Sequence, residues 1–346
     1  MAKRKYLAGI AAAAWLAAFA AMAAAADLAP VKIGISNSGS DVTIFIAQKR
    51  GYFREEGIEA TTVPFDSGAR MIPVLGTGEL DVGAGSASAG LFNAVARGIK
   101  IQIVSGNGSA PPGYGHQILI VRKDHVDSGR YKSFVDLKGM KLALPAAGVS
   151  ATATINEALK KGGLKYSDIE PVYMGYPNHV IALSNGRIDA GLTTEPAATQ
   201  AIQLGAAVRI TTNDTYYPDA DTSHILYSAV FAERRPDIAK KFMRAYLKGV
   251  RDYNDALKDG HIAGPNAEDV IAILTEFTPL KDAAVYRAIS PQGCHPDARL
   301  NLASLKSDFE FYAQQGWIEG TVTPEQAVNT SFAAAARGEL GPYVPR

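Results

Sequence analysis

The chain has 346 residues, and its 35 basic and 34 acidic side chains nearly cancel, which leaves a formal charge of +1. This balance argues against nucleic acid as a partner, because that role calls for a strongly basic surface. The length exceeds the usual limit of one hydrophobic core, so we expect two domains. The single cysteine, Cys294, excludes an internal disulfide. Despite the neighbouring His295, we interpret it as a structural thiol rather than a catalytic one.

The first 26 residues have the three zones of an export signal. Lys3, Arg4 and Lys5 precede an apolar run from residue 7 to about residue 22, and small residues fill 23–26. We predict cleavage near Ala26 and a periplasmic product. A membrane anchor is the alternative, but the run is short and rich in alanine, which contributes little to membrane insertion.

Alternating strands and helices are predicted after the export signal. The predicted strands are 31–35, 58–63, 81–84 and 101–104, with helices at 41–49 and 67–75 between them. This β-α-β-α-β order indicates a mostly parallel sheet with helical crossovers. Pro73 has to kink the second helix or delay its start. A long loop is predicted over 106–115, before an apolar strand at 118–121.

The same pattern then restarts and finally gives way to helices. Further strands are predicted at 141–144, 170–174, 208–211 and 225–231, with helices at 151–161 and from residue 178. From Pro236 onward, apolar residues recur at helical spacing. Later helices are predicted at 267–277, 302–315 and 324–337. We expect this helical tail to pack on one lobe.

A motif with the pattern Leu-x-x-Gly-x-(Leu/Ile)-Asp-x-Gly occurs twice. One copy begins at Leu75 and the other at Leu183, a separation far longer than a solenoid repeat, so the pair indicates two similar lobes. Each copy predicts a helix ended by a glycine with positive φ and then a short strand. Small polar residues follow both strands, and ligands of open α/β sheets bind beyond the carboxyl ends of strands. The two copies therefore predict a cleft between lobes.

Taken in order, these features resemble the periplasmic substrate-binding proteins of ABC importers, in the branch covering sulfonates, taurine, nitrate and thiamine-type pyrimidine precursors. The resemblance is carried by the two motif copies and by residues 45–58 (FIAQKRGYFREEGI), 136–143 (DLKGMKLA), 235–237 (RPD) and 311–318 (FYAQQGWI). It implies an α/β fold of the two-lobed type II periplasmic binding proteins. In that fold each lobe is a mostly parallel sheet flanked by helices, with a helical C-terminal tail on lobe one. The implied lobes are 27–119 with 228–346, and 120–227, joined by a hinge that closes over a ligand.

The resemblance also implies a function. It implies a monomer that captures a small organic anion, such as a sulfonate or carboxylate, without a cofactor or metal. The partner would be an ABC transporter permease with its cytoplasmic ATPase. An enzyme of the pyrimidine-precursor type on the same scaffold and a ligand-sensing accessory protein are the alternatives. The enzymes of that type use a cysteine-rich iron site, whereas this chain has one cysteine. Its sequence also contains neither His-Glu-x-x-His nor Gly-x-Ser-x-Gly.

The candidate ligand-binding residues lie in loops that follow a strand and lead into the next helix. Their unpaired backbone N–H groups and helix dipoles favour an anion, although each serine has capping of its own helix as an alternative role. Arg70 is either a bidentate oxyanion ligand or a solvated surface residue. The aromatic residues either stack on a planar ligand or pack in the core. Glu195 either accepts an amine or pyrimidine N–H or caps the next helix. The full predicted set is Asn37, Ser38, Asp41, Phe65, Ser67, Arg70, Ser86, Ser88, Tyr114, His116, Gly148, Ser150, Tyr176, Thr194 and Glu195.

Overall fold

The structure is a computed structural model that describes residues 28–346. The predicted export signal, residues 1–26, lies outside the described residues. The strands are β1 (Ala29–Ile35), β2 (Ile58–Pro64), β3 (Val82–Gly85), β4 (Gln102–Ser109), β5 (Gln117–Arg122), β6 (Lys141–Leu144), β7 (Glu170–Tyr173), β8 (Ala190–Thr194), β9 (Ala207–Thr212), β10 (Asp221–Tyr227), β11 (Leu257–Lys258) and β12 (His261–Ile262).

Helices connect these strands and make up most of the C-terminal third. They are α1 (Val42–Lys49), α2 (Tyr52–Glu55), α3 (Gly68–Thr77), α4 (Ala89–Ala96), α5 (Lys123–Asp127), α6 (Ser150–Lys161), α7 (Tyr176–Ser184), α8 (Ala197–Gln203), α9 (Ala229–Arg234), α10 (Pro236–Ala256), α11 (Ala267–Phe277), α12 (Ala283–Ala288), α13 (Leu302–Gln314) and α14 (Ser331–Leu340). Short 3₁₀ turns occur at Gly39–Asp41, Phe134–Leu137, Tyr166–Asp168, Asn213–Thr215 and Pro324–Ala327.

Ten of these strands form two five-stranded sheets. The first has the order β2-β1-β3-β10-β4 and the second the order β7-β6-β8-β5-β9. In the first sheet β10 runs antiparallel to both neighbours, and β5 does the same in the second. The remaining strands of each sheet share one direction. Both sheets are therefore mixed, with four strands parallel and one reversed, and the α/β class predicted from the sequence is confirmed.

The repeated motif builds the same structure in each sheet. Gly78 and Gly186 have φ of 77° and 73°, as predicted for glycines that end helices. Asp81 precedes β3, and its carboxylate accepts the backbone N–H of Lys32 at 2.9 Å. In the second sheet Asp189 precedes β8 and accepts the N–H of Lys141 at 3.0 Å. Each aspartate thus ties the start of one central strand to its parallel neighbour.

Several predicted boundaries are wrong, because of close packing in one case and helix capping in another. Residues 106–109 were predicted as a loop but belong to β4. A Cβ on Gly106 would lie 2.6 Å from the Arg299 carbonyl oxygen, so glycine is required there by a close neighbour and not by a turn. The strand predicted at 225–231 begins at Asp221 and ends at Tyr227, because the Ser228 hydroxyl accepts the Phe231 N–H and starts α9.

The helices show similar differences. Pro73 lies inside α3, which runs unbroken from Gly68 to Thr77. The predicted helix 324–337 is a 3₁₀ turn followed by α14, and α12 was not predicted. Helices α10 and α11 were predicted closely by their apolar periodicity.

The core has a large cluster on each side of the first sheet and a smaller one on the second. Side chains of β1, α1, α10 and α11 form the first cluster, around Ile33, Phe45 and Tyr246. A second cluster contains residues from both sheets and from α13. In this cluster the Tyr166 ring packs edge-on against Phe311, with 5.7 Å between ring centroids. Helix α13 of the C-terminal tail therefore also contacts the turn between α6 and β7 of the second sheet. Within 28–346 there is no helix with the length and apolar character needed to cross a bilayer.

Candidate functional site

A polar pocket lies where the carboxyl ends of strands from both sheets meet. Ser36 follows β1, Ser86 follows β3, Pro145 follows β6, and Thr194 ends β8. This is the position at which open α/β sheets bind ligands. The lining residues are Ser36, Ser38, Ser40, Ser67, Gly68, Gly85, Ser86, His116, Gln117, Pro145, Val149, Tyr176, Thr194, Thr222 and Ser223.

The chemistry of the polar pocket is neutral and rich in hydroxyl groups. Neither lysine nor arginine is among its lining residues. The N-termini of two long helices reach it, α3 at Ser67–Gly68 and α6 at Val149. The first N–H groups of a helix have no partner within the helix and favour an anion. Hydroxyl and N–H donors can therefore surround an anionic group here without a cationic side chain.

Four buried polar atoms of the polar pocket lack a hydrogen-bond partner among residues 28–346. They are Ser67 Oγ, His116 Nδ1, Gln117 Oε1 and Thr194 Oγ1. A buried polar atom without a hydrogen-bond partner costs about 1–3 kcal/mol of stability. Four such atoms around one cavity therefore indicate that a bound polar group supplies their missing hydrogen bonds. The cavity volume is about 20 Å³, which exceeds the roughly 10–15 Å³ that one water needs and suits a small polar group.

The loop that carries the first serines is held by Asp41. Its carboxylate is fully buried and accepts the backbone N–H of Ser38 at 2.9 Å and that of Ser36 at 3.4 Å. Burial raises the pKa of Asp41 to about 7, although these backbone hydrogen bonds act in the opposite direction. The Ser38 hydroxyl lies 3.1 Å from that of Ser36 and 2.6 Å from that of Ser40. Asp41 therefore positions the serine loop and does not itself line the polar pocket.

His116 is a neutral member of the site. Burial lowers the pKa of its ring to about 4, and the Coulombic effect of Asp214 opposes this only in part. Its Nε2 lies 3.3 Å from Thr222 Oγ1, while Nδ1 is the unpartnered atom. A neutral imidazole can offer either an N–H or a lone pair at Nδ1. Burial also raises the pKa of the Tyr176 phenol, so that this side chain keeps its O–H donor at pH 7.

Hydrogen bonds join the elements of the two sheets around the polar pocket. The Ser86 and Ser150 hydroxyls lie 2.9 Å apart, and both donate to the Thr222 carbonyl oxygen at 3.0 and 2.9 Å. Nearby, the Ala89 N–H donates to the Gly148 carbonyl oxygen at 2.8 Å. Ser86, Ala89 and Thr222 belong to the first sheet and its helices, whereas Gly148 and Ser150 belong to the second.

A buried carboxylate of the second sheet pairs with an arginine of the same sheet and also contacts the C-terminal segment. Glu195 follows β8 and lies 3.1 Å from Arg209 Nη2, and it also accepts the Ser290 N–H at 3.2 Å. Thr199 donates to the same carboxylate through its N–H and its hydroxyl. Arg209 Nη1 in turn donates to the Ser290 hydroxyl at 2.7 Å. Burial raises the pKa of Glu195 despite these partners. Its carboxylate is therefore engaged within the protein.

The structure brings about half of the predicted site residues to the polar pocket and places the others elsewhere. Ser38, Ser67, Ser86, His116, Tyr176 and Thr194 line it, and Ser150 contacts it through Ser86. Ser88 instead caps α4, because its hydroxyl accepts the Leu91 N–H at 3.2 Å. Arg70 is exposed and shares a separate shallow cavity with Asn37 and Phe65. Tyr114 lines none of the cavities described, and Gly148 lies against Ala89.

Nine lining residues are absent from the predicted set: Ser36, Ser40, Gly68, Gly85, Gln117, Pro145, Val149, Thr222 and Ser223. Three of them lie in strands whose polar ends were not recognised as part of a site. Gln117 begins β5, while Thr222 and Ser223 lie in the polar first half of β10. The strand was predicted to start only at Ile225, where its apolar residues begin. The polar run Asp221–His224 directly before that apolar segment was the signal that this strand enters a site.

Comparisons with known proteins place the chain among binding proteins and related enzymes. A family model described as NMT1/THI5 like matches residues 40–257. A relative in Brucella abortus named as a binding protein is 28% identical over 265 residues, covering 75% of each chain. A 4-amino-5-hydroxymethyl-2-methylpyrimidine phosphate synthase of Aspergillus parasiticus is 28% identical over 224 residues, covering 61% of each chain.

Solved structures share the fold. The alkanesulfonate-binding protein SsuA from Xanthomonas axonopodis, bound to MOPS, has a TM-score of 0.68 at 21% identity and covers 88% of this chain and 99% of its own. The periplasmic nitrate-binding protein NrtA from Synechocystis has a TM-score of 0.73 at 13% identity, with 91% and 89% covered. At such identities the likeness establishes the fold, and the ligand has to be argued from the site.

Proposed function

Because this chain belongs to the NMT1/THI5-like family, we propose that it is an extracytoplasmic binding protein that captures a small organic anion and delivers it to an ABC transporter. The permease and its cytoplasmic ATPase are the proposed partners, and the protein acts as a monomer. Export by residues 1–26 and a periplasmic location belong to the same proposal. The binding proteins among its relatives and structural neighbours support it.

One observation supports this proposal above the others: four unpartnered buried polar atoms surround a single cavity between the two sheets. Hydroxyl groups and two helix N-termini supply donors, which suits a sulfonate, carboxylate or comparable oxyanion. We propose Ser67, His116 and Thr194 as direct contacts that donate to the oxyanion, with Ser38, Ser86, Gln117 and Tyr176 around them. The Xanthomonas protein bound to MOPS supports including sulfonates in any ligand screen.

Ligand capture requires that the two sheets move as lobes. We propose crossings near residues 110–116 and 213–220, because β5 pairs in the second sheet and β10 returns to the first. This assignment starts lobe two at Gln117 rather than residue 120, and ends it before Asp221 rather than at residue 227. Closure of the lobes would bring the elements around Ser86 and Ser150 together as they are seen here.

Binding rather than catalysis is the proposed role, even though phosphate synthases occur among the relatives. Cys294 is buried, and its burial raises the pKa of the thiol, so that the reactive thiolate is disfavoured. A bound ligand should be recovered chemically unchanged after prolonged incubation with the protein, as checked by NMR. Conversion of the ligand would favour the enzyme alternative.

Calorimetry on one matched pair of variants tests the site. A thermal-shift screen of nitrate, alkyl sulfonates and alkyl carboxylates first identifies a binder. A ligand that binds only the folded protein raises its unfolding free energy by RT ln(1 + [L]/Kd). Ser67→Ala should then weaken binding by about 2- to 12-fold, the equivalent of one hydrogen bond. Ser88→Ala is the control, because that hydroxyl caps α4 outside the polar pocket. It should lower stability by about 1 kcal/mol and leave affinity unchanged. Equal affinities in both variants, or binding of cations only, would contradict the proposal.

A further inference from the structure

A second cavity adjoins the polar pocket and has the opposite character. It has a volume of about 350 Å³ and lies between α1, the start of α8, α11 and the segment around α12. We call it the apolar chamber, and its main apolar side chains are those of Val42, Phe45, Leu274, Leu280, Tyr286 and Ile289. The apolar chamber opens to solvent, and a concave apolar pocket of this volume is a candidate ligand site.

The charged residues on the wall of the apolar chamber already have partners in the protein. The Asp41 carboxylate accepts backbone N–H groups of the serine loop, and the Glu195 carboxylate is held by Arg209 and Ser290. Lys281 is exposed, and its Nζ donates to the Glu276 carbonyl oxygen at 3.0 Å. The wall therefore offers mostly carbon surface to an occupant, and its one cationic side chain among the described residues, Lys281, is exposed at the edge.

The two cavities share Ser38, which lines both. The polar pocket has room for one small polar group, whereas the apolar chamber is in the range of volumes that bind whole organic molecules. From this pairing we propose that the apolar chamber receives the hydrocarbon body of an amphiphilic organic anion whose charged group is held in the polar pocket. The ligand class is thus a sulfonate or carboxylate with an alkyl or ring-bearing body, and not an inorganic ion. This inference rests on the proposed binding function and specifies its ligand.

A homologous series of ligands tests the inference directly. Calorimetric titrations with methane-, butane-, hexane- and octanesulfonate, and with the matching carboxylates, report how affinity depends on chain length. Each methylene that enters the apolar chamber should strengthen binding by about 3- to 4-fold. Ala197→Leu adds bulk at a small buried residue of the chamber wall and should flatten this dependence while methanesulfonate binds as before. Ala272→Leu is the control, since Ala272 is exposed on α11 and does not line the chamber.

Leu280→Asp provides a second variant in case the added leucine disturbs folding. Leu280 is a half-buried residue of the chamber wall, and a carboxylate there would lose hydration when the hydrocarbon body of a long anion packs against it. It should weaken octanesulfonate far more than methanesulfonate. If short anions bind but chain length brings no gain, or if the gain is the same in wild type and both chamber variants, the apolar chamber is not a ligand subsite and the binding function stands. If no anion of either series binds, the proposed function fails together with this inference.

Discussion

Gly148 offers a direct way to test whether closure of the two sheets is coupled to ligand binding. Its φ is +62°, and a Cβ at this position would lie 2.8 Å from the Cβ of Ala89 on the opposite side of the cleft. Real Cβ atoms do not approach so closely, so Gly148→Ala forces the α6 and α4 N-termini apart. The substitution has two separate effects. A positive φ costs an alanine about 1–2 kcal/mol in every conformation. The steric overlap costs about 1–3 kcal/mol more, but only when the cleft is closed.

Gly163→Ala separates these two effects. Gly163 has φ of +67° and is exposed just beyond α6, where an added Cβ meets nothing within 4 Å. Both variants should lose about 1–2 kcal/mol of unfolding free energy in urea denaturation. Calorimetry with the strongest-binding alkanesulfonate should show about 5- to 150-fold weaker binding for Gly148→Ala only. If Gly148→Ala binds as tightly as Gly163→Ala, the bound state does not have the closed geometry seen here, and the coupling of closure to binding is refuted.

Two further predictions concern buried charges. Because burial raises the pKa of Asp41 from 3.8 to about 7, its contribution to stability is fully present below about pH 4 and is lost as the pH rises through about 7. The unfolding free energy of wild type relative to Asp41→Asn should therefore fall between pH 5 and pH 8. A difference that grows with pH would contradict this. Because both proteins contain the same buried histidines, whose lowered pKa values act in the opposite sense, the comparison cancels the effect of those histidines. Arg209→Ala removes the countercharge of buried Glu195 and should lower the unfolding free energy by about 1.5–3 kcal/mol. Adding Glu195→Gln should restore part of that loss in a double-mutant cycle, and purely additive effects would show that the pair is not coupled.

The amino-acid sequence alone determined those helices and turns whose signals lie within a short stretch of chain. The glycines at 78 and 186 were predicted to end helices with positive φ, and they do, because only a residue without Cβ adopts that conformation cheaply. The long helix from Pro236 followed from its apolar spacing. The two motif copies indicated two similar units, and Asp81 and Asp189 make equivalent contacts in the two sheets. Each of these inferences depends on residues close together in the chain.

Only the tertiary structure decided which polar residues face the cleft. Ser67 and Ser88 both follow strands and precede helices, yet one has an unpartnered hydroxyl in the polar pocket and the other caps its own helix. Arg70 lies one turn from Ser67 but faces outward. The orientation of a side chain depends on how its helix packs on the sheet, and sequence spacing alone does not contain that information.

The apolar chamber is the clearest example of a feature that the sequence alone does not reveal. Its wall is assembled from the loop before α1, the start of α8 and the segment from α11 to Gln292, which are far apart in sequence. Each segment by itself looks like ordinary core, since apolar side chains at helical spacing are what any packed helix requires. A cavity exists only where such surfaces meet without filling the space between them. That property belongs to the packing of the whole chain, and therefore the ligand class could be narrowed only after the two sheets were seen together.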